Sequence, residues 1–235
     1  MYKLEAMRKD FVANVSHELR TPLTVIRGYL ETLSMAESLP PVFEKAITNM
    51  QAQSQRMQSL AQDLLTLTKI ETDDPDKKQT DISLDSLLKR IVSEAQDICQ
   101  EKAHNITLSA EHSYVLRGNE QDIHSAISNL VINAVKYSPP SSDIILKVER
   151  ASHKLIICVS DNGPGIDEKH LPRLTERFYR VENSRSVELG GTGLGLAIVK
   201  HVMIAHQGDL EIESQVGEGS HFSCIFPEER LITTE

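Results

Sequence analysis

The chain has 235 residues, enough for one or two domains that each enclose a hydrophobic core. Its formal net charge of -9 argues against a nucleic-acid partner, because proteins that bind nucleic acid neutralise its phosphates with clustered Lys and Arg. The sequence has no run of about 18 apolar residues, so we expect no membrane span within it.

Two long amphipathic helices are predicted at the amino-terminal end. Apolar residues recur at steps of three and four from Leu4 to Leu33 and again from Phe43 to Thr68. The stretch from Ser38 to Pro41 interrupts the pattern and predicts a short turn. A lone hairpin would leave one apolar stripe in water. We therefore expect an all-α helical hairpin that pairs with a second copy as a four-helix bundle, which makes the chain a homodimer.

A polar, Pro-containing stretch from Glu71 to Thr80 follows the hairpin and predicts a linker. We expect a hairpin domain at 1–72, a linker at 73–80, a catalytic domain at 81–229 and a tail at 230–235. Alternating patterns after the linker predict an α+β layer sandwich. Its predicted helices are 84–102, 121–137 and 192–207, and its predicted strands are 105–110, 114–116, 143–150, 155–160, 209–214 and 221–226.

His17 is the candidate nucleophile of the first helix. A neutral imidazole can attack phosphorus through its unprotonated nitrogen, and a neighbouring carboxylate such as Glu18 fixes the tautomer by accepting the other proton. Thr21 lies one turn further on the same face, and Pro22 should bend the helix close to His17. Taken alone, a His-Glu pair is more often an ordinary surface histidine on a helix.

Two downstream segments have features suited to a nucleotide. On the predicted helix 121–137, Asn129 and Asn133 share a face with Lys136 close by, and amide oxygens suit Mg²⁺ bound to phosphates. A predicted strand ends at Asp161, whose carboxylate can accept the exocyclic amine of adenine. The glycines that follow it let the backbone approach a planar ligand. Taken alone, these segments could be a polar helix face and a tight turn.

A third segment, the glycine-rich loop 190–195, leads into a predicted helix whose free N–H groups attract phosphate. Its spacing matches neither the Rossmann nor the Walker pattern. The polar stretch 180–189 precedes it, and the segment 217–220 predicts a turn between the last two strands.

These segments resemble one family box by box. Ser16-His17-Glu18-Leu19-Arg20-Thr21-Pro22 resembles the H box of sensor histidine kinases residue for residue. In the same family, residues 129–138 resemble the N box, 161–165 the G1 box, Phe178 the F box, 190–196 the G2 box and 180–189 the mobile ATP lid. Thr175 departs from the pattern, since many relatives carry an aromatic residue there.

The resemblance implies an ATP-binding sandwich of the Bergerat (GHKL) type with ATP and Mg²⁺ as cofactors. It also implies that His17 is the phosphoacceptor, that Glu18 is its acid/base partner and that Thr21 helps to position water for dephosphorylating the partner. That partner would be the receiver domain of a response regulator, and Asn133 would be the metal ligand. The implied nucleotide-binding residues are Asn129, Asn133, Lys136, Tyr137, Asp161, Gly163, Gly165, Ile166, Phe178, Gly191, Thr192, Gly193, Leu194, Gly195 and Leu196.

Within that family, the stretches 118–120, 125–129 and 171–180 are most similar to the phosphate-regulon sensor kinases, which implies phosphate-starvation signalling. The helical pattern is already running at Leu4 with no cap before it, so we expect an upstream segment. The chain would then be cytoplasmic, and membrane contact at the bacterial inner membrane would come only through upstream segments.

Two alternatives remain open. One is a different enzyme on the same fold, an ATPase of the gyrase and chaperone class or a serine kinase, which would have no reason to carry His17 on a dimer helix. The other is a non-catalytic nucleotide-sensing dimer scaffold, which the intact glycines and asparagines argue against.

Overall fold

The computed structural model describes residues 23–33, 40–72, 79–98, 103–181 and 191–232, apart from the side chains of 41 and 42. The predicted H box, with His17, Glu18 and Thr21, lies outside these ranges. The described helices are α1 (23–33), α2 (Pro41–Thr72), α3 (Leu84–Ile98), α4 (Glu120–Tyr137) and α5 (Gly195–Ala205), with short 3₁₀ helices at Glu168–Arg173 and Glu228–Arg230. None of the helices within these ranges has the length and apolar content needed to cross a bilayer.

Helices α1 and α2 pack against each other as the predicted hairpin. Leu23 and Leu30 of α1 are buried, as are Ile47, Ser54 and Ala61, which recur every seven residues along α2. The Ser54 hydroxyl donates a hydrogen bond to the Leu23 carbonyl at 3.3 Å. The expectation of a helical hairpin is confirmed.

A second apolar stripe on the hairpin faces solvent. On α2, Phe43, Met50 and Met57 are also seven residues apart, and each is between 44 and 57 % exposed. On α1, Ile26 and Leu33 are exposed to a similar extent. A stripe of this size in contact with water is unfavourable, and a second hairpin could cover it.

The strands after the linker form two sheets, and their bounds are β1 (Thr80–Ser83), β2 (Asn105–Ala110), β3 (Val115–Gly118), β4 (Asp143–Ala151), β5 (Lys154–Asp161), β6 (Asp209–Gln215), β7 (Gly219–Pro227) and β8 (Leu231–Ile232). The larger sheet has the order β2-β4-β5-β7-β6, in which only the pair β2–β4 is parallel. The smaller sheet is antiparallel with the order β1-β3-β8.

One face of the larger sheet packs against α3, α4 and α5 and forms the core. Alternate residues of the central strands point to this face, as the period of two in the sequence predicts. Burial of one such side chain contributes roughly 1.5–3 kcal/mol. The buried strand residues include Ile144, Leu146, Val148, Leu155, Ile157, Val159, Phe222, Cys224 and Phe226. The predicted α+β sandwich is confirmed.

The structure differs from the sequence prediction where elements are short or contain glycine. Helix α5 begins at Gly195 rather than at residue 192, because Gly193 has a φ of +75° that a helix does not allow. Strands β1 and β8 were not predicted, since they have only four and two residues. Strand β1 begins at Thr80, which was assigned to the linker, and β8 lies at 231–232, which was assigned to the tail.

The carboxyl-terminal part of α2 extends beyond the hairpin and packs against the sandwich. Its residues Leu67 and Ile70 are buried in the same apolar cluster as α4 and α5, and Leu60 and Leu64 pack against that cluster. One 32-residue helix therefore serves both units.

Candidate functional site

Helix α4 positions the predicted N box. The side chain of Asn119 caps its amino terminus by accepting a hydrogen bond from the Gln121 N–H at 3.0 Å. Its apolar residues, among them Ile127 and Leu130, are buried in the core and fix the rotation of the helix. Consequently Asn129, Asn133 and Lys136 lie half-buried on one side of it, one turn apart, as the sequence predicted.

Asn129 lies against the start of α5. Its Nδ2 donates to the Ser125 carbonyl at 2.8 Å, and a Cβ placed on Gly195 would lie 2.7 Å from its Oδ1. Only glycine allows this approach without a shift. The N box and the G2 box, which are far apart in sequence, therefore meet here.

Lys136 and Tyr137 lie beside the other end of the same glycine loop. A Cβ placed on Gly191 would lie 3.4 Å from Lys136 Nζ and 2.9 Å from the Tyr137 hydroxyl. Burial raises the pKa of Tyr137, and the charge of Arg180 opposes that shift. A cation beside a glycine-rich backbone is an arrangement that attracts phosphate.

Asp161 ends β5 beside the carboxyl terminus of α4. Its Oδ1 accepts the Gly163 N–H at 2.9 Å, and its carboxyl also interacts with the Ser138 side chain. Burial raises the pKa of Asp161, and these two hydrogen bonds offset part of the shift. Ser138 follows the last residue of α4, so the G1 turn and the N-box helix are directly joined.

The G1 turn is held by the β6–β7 hairpin. Gly165 has a φ of +67°, and a Cβ on it would lie 1.9 Å from the Gln215 carbonyl oxygen. The Ile166 N–H donates to Ser214 Oγ at 2.8 Å, and the Gly217 N–H donates to the Pro164 carbonyl at 2.9 Å. Ile166 packs against the core. The segment 217–220, predicted only as a turn, therefore supports the G1 loop.

Phe178 of the predicted F box meets the G2 loop through the backbone. Its N–H donates to the Gly193 carbonyl at 2.8 Å, and a Cβ on Gly193 would lie 2.8 Å from the Phe178 Cα. Phe178 itself has a φ of +65° although it is not glycine, and its ring is exposed. Residues 182–189 of the predicted lid and Gly190 of the predicted G2 box lie outside the described ranges.

Thr192 of the G2 loop contacts a residue that the sequence did not suggest. Its hydroxyl donates to Asp63 Oδ2 on α2 at 2.7 Å and accepts the Leu194 N–H at 3.2 Å. Leu194 is buried, and Leu196 packs against the core, so both anchor the loop. No local pattern marks Asp63, because its partner is 129 residues away.

Both glycine loops therefore lie against α4, the G1 turn at Ser138 just after its carboxyl end and the G2 loop beside Asn129 and Lys136. Phe178 contacts the G2 loop through its backbone. The described ranges contain no cluster of three His, Cys, Asp or Glu side chains that could hold a metal ion. A Mg²⁺ ion beside Asn133 would thus need nucleotide phosphates and water as its other ligands, which is its usual environment.

Two grooves lie away from this site. One of about 380 Å³ runs between the 3₁₀ helix Glu168–Arg173, α5 and β6, and one of about 350 Å³ runs between α2 and α4. Neither is lined by a residue of the predicted nucleotide site.

Two family models match the chain. Residues 7–73 match the His Kinase A (phospho-acceptor) domain, and residues 118–230 match the Histidine kinase-, DNA gyrase B-, and HSP90-like ATPase. Between them they include the predicted H, N, G1, F and G2 boxes.

Curated relatives match along the whole chain. The Phosphate regulon sensor protein PhoR of Pseudomonas aeruginosa is 50 % identical over 236 residues, which cover 100 % of this chain and 53 % of that protein. The protein of the same name from Haemophilus influenzae is 44 % identical, and the match covers 99 % of this chain and 54 % of that protein. The chain thus spans about half the length of the curated relatives it matches.

Solved structures share the fold. Full-length ShkA in complex with AMPPNP has a TM-score of 0.75 at 22 % identity, with 96 % of this chain and 46 % of ShkA covered. The Acinetobacter baumannii histidine kinase AdeS has a TM-score of 0.64 at 23 % identity, and the match covers 90 % of this chain and 98 % of the AdeS chain.

Proposed function

Because the chain belongs to the sensor histidine kinases, we propose that it uses Mg-ATP to phosphorylate its own His17. The observation that carries the proposal is the meeting of the two glycine loops at one helix. Asn129 lies against Gly195, and Ser138, directly after that helix, lies against the Asp161 turn. This arrangement offers an acceptor for an amine at the Asp161 turn and a phosphate-attracting loop beside Asn129 and Lys136.

The nucleotide would lie along α4. Asp161 would accept the exocyclic amine of adenine beside the G1 turn, whose glycines pack closely against Ser138 and Gln215. The phosphates would lie beside the G2 loop, where Lys136 would offset their charge and the first N–H groups of α5 would donate to them. Ile166 and Leu196 would hold the two loops at this spacing through the core.

Mg²⁺ would be held by Asn133 together with the phosphates and water. When bound, the ion offsets the negative charge that the reacting phosphates carry. Asn133 is half-buried one turn from both Asn129 and Lys136, so its amide oxygen would face the same phosphates.

The transfer to His17 needs positioning more than covalent help. The unprotonated ring nitrogen of His17 would attack the γ-phosphorus, a nitrogen–phosphorus bond would form, and the bond to the leaving ADP oxygen would break. Glu18 would accept the hydrogen bond of the other ring nitrogen and so stabilise the imidazolium as it forms.

The test is incubation of the chain with γ-labelled Mg-ATP, followed by acid and alkali treatment of the labelled protein. We expect label that acid removes and alkali does not. His17→Gln should take up no label while it still binds ATP, and the surface variant His112→Gln should label normally. Label that persists in His17→Gln would refute the assignment. Absence of label in the unchanged chain, with ATP bound, would favour a nucleotide-sensing scaffold.

Further proposals concern the partners. The exposed stripe of Phe43, Met50 and Met57 supports a homodimer through the hairpin, because a second copy would cover it. The phosphoryl group would then pass to an aspartate of a response-regulator receiver domain, and Thr21 would help to position water for hydrolysis of that aspartyl phosphate. Labelled chain mixed with purified receiver domains would show the transfer, and Thr21→Ala should slow only the dephosphorylation.

The similarity to PhoR proteins supports a role in phosphate-starvation signalling, with the whole protein at the bacterial inner membrane. We also propose that the chain divides into the hairpin domain, the linker, the catalytic domain and the tail, with the bounds that the sequence indicated except at the two ends of the catalytic domain. The catalytic unit would take in the strands β1 and β8 at its two ends. Transfer that is fastest to a receiver domain outside phosphate regulation would refute the signalling role.

A further inference from the structure

The end of α2 is docked on the sandwich along one face. From Leu60, steps of three or four residues lead to Asp63 and Leu64, then to Leu67 and then to Glu71, so these residues share a side of the helix. Leu67 is buried in the core cluster, while Glu71 forms an ion pair with Arg177 and its carboxylate lies 3.3 Å from His201 Nε2. Apolar and charged contacts thus hold this face against the catalytic unit.

Asp63 lies within that face and contacts the G2 loop. Its Oδ2 accepts the hydroxyl hydrogen of Thr192 at 2.7 Å. Burial raises the pKa of Asp63, while the hydrogen bond from Thr192 and the positive charge of Lys136 lower it. The carboxylate therefore interacts with two groups that the proposed function assigns to the nucleotide phosphates.

A threonine hydroxyl has a single hydrogen to donate. While Thr192 donates to Asp63, it cannot donate to a phosphate oxygen. The negative charge of Asp63 also offsets part of the positive charge of Lys136, and it repels an incoming anion. Because Asp63 is half-buried, water screens these electrostatic interactions only in part. Asp63 thus resembles a phosphate in both charge and hydrogen bonding.

We propose that Asp63 is an intramolecular competitor for the nucleotide phosphates, so that the docked α2 lowers the affinity of the catalytic unit for ATP. The proposal rests on the proposed function of the G2 loop. Nucleotide binding would have to displace Asp63 from Thr192, and any movement that undocks α2 would raise the affinity. The hairpin would then act on the nucleotide site in two ways. Asp63 of α2 would compete with the phosphates, and the first helix would carry the phosphoacceptor His17.

The experiment measures the affinity of the full chain for a non-hydrolysable ATP analogue with Mg²⁺, by calorimetry. Asp63→Asn removes the charge while it keeps the shape, and Asp63→Ala removes both the charge and the hydrogen bond. We expect both to bind the analogue roughly three- to tenfold more tightly, the order expected for one charge-assisted hydrogen bond at a half-exposed site. Glu44→Gln makes the same change of charge at the far end of α2 and should leave the affinity unaltered.

Adenosine, which lacks phosphates, serves as the control ligand. It distinguishes competition between Asp63 and the phosphates from a general change of the binding site. Its affinity, measured by chemical shifts, should be the same in the unchanged chain and in Asp63→Asn. Unchanged or weaker binding of the analogue by Asp63→Asn, or an equal gain for adenosine, would overturn the proposal. If the unchanged chain bound no analogue at all, the proposed function would fail instead.

Discussion

Gly165→Ala should disrupt the G1 loop, and the structure gives the size of the effect. Gly165 has a φ of +67°, which costs a residue with a Cβ about 1–2 kcal/mol. The new Cβ would also lie 1.9 Å from the Gln215 carbonyl oxygen, and both belong to backbone that cannot rotate away. The loop would have to move by about 1.5 Å to reach ordinary contact distance.

That displacement would break the hydrogen bonds of Ile166 with Ser214 and of Gly217 with Pro164, which are 2.8 and 2.9 Å long. Each contributes about 0.5–1.5 kcal/mol. We therefore expect Gly165→Ala to lower the free energy of unfolding by about 2–5 kcal/mol, and ATP affinity to fall with it because the loop no longer lies beside Asp161.

Gly217→Ala is the matched control. Its φ of +88° carries the same conformational cost, but a Cβ there would meet nothing within 4 Å. Gly217→Ala should therefore lower the free energy of unfolding by only about 1–2 kcal/mol. Thermal unfolding followed by circular dichroism would compare the two variants. The midpoint temperature should fall by roughly 2–4 °C for each kcal/mol of stability lost. Equal midpoints for the two variants would refute the reasoning that Gly165 is required by the contact with Gln215.

Three further predictions follow. Asn133→Ala should lose most Mg-ATP binding by calorimetry without loss of fold, and undiminished affinity would contradict its assignment as ligand. Met50→Lys should shift the chain from dimer to monomer in sedimentation, while Lys45→Ala should not. His206 is buried and neutral, with Nε2 accepting the Asn119 N–H at 3.1 Å, and burial lowers its pKa. Because the unfolded chain then binds the proton first, stability should fall as the pH drops below about 6.5, less so in His206→Gln.

The sequence by itself determined the elements that repeat a long pattern. The alternation in β4, β5 and β7 predicts their buried faces, and the three- and four-residue steps predict α2 and α4, because side-chain direction along a strand or helix is set by local geometry. The same period predicts the polar side of α4, whereas the glycines of both loops are identified by residue type and by their resemblance to the G1 and G2 boxes. Local patterns fix which side of an element carries Asn129 and Lys136.

Only the tertiary structure decided which of these sides meet. Strands β1 and β8 are too short to carry a pattern and exist because β3 offers them hydrogen-bond partners. Phe178 takes a positive φ because Gly193 holds its backbone, although nothing in its own type favours that conformation. Asp63 reaches Thr192 only because Leu67 and Ile70 dock α2 on the core. Contacts between residues distant in sequence depend on packing, and no local period records them.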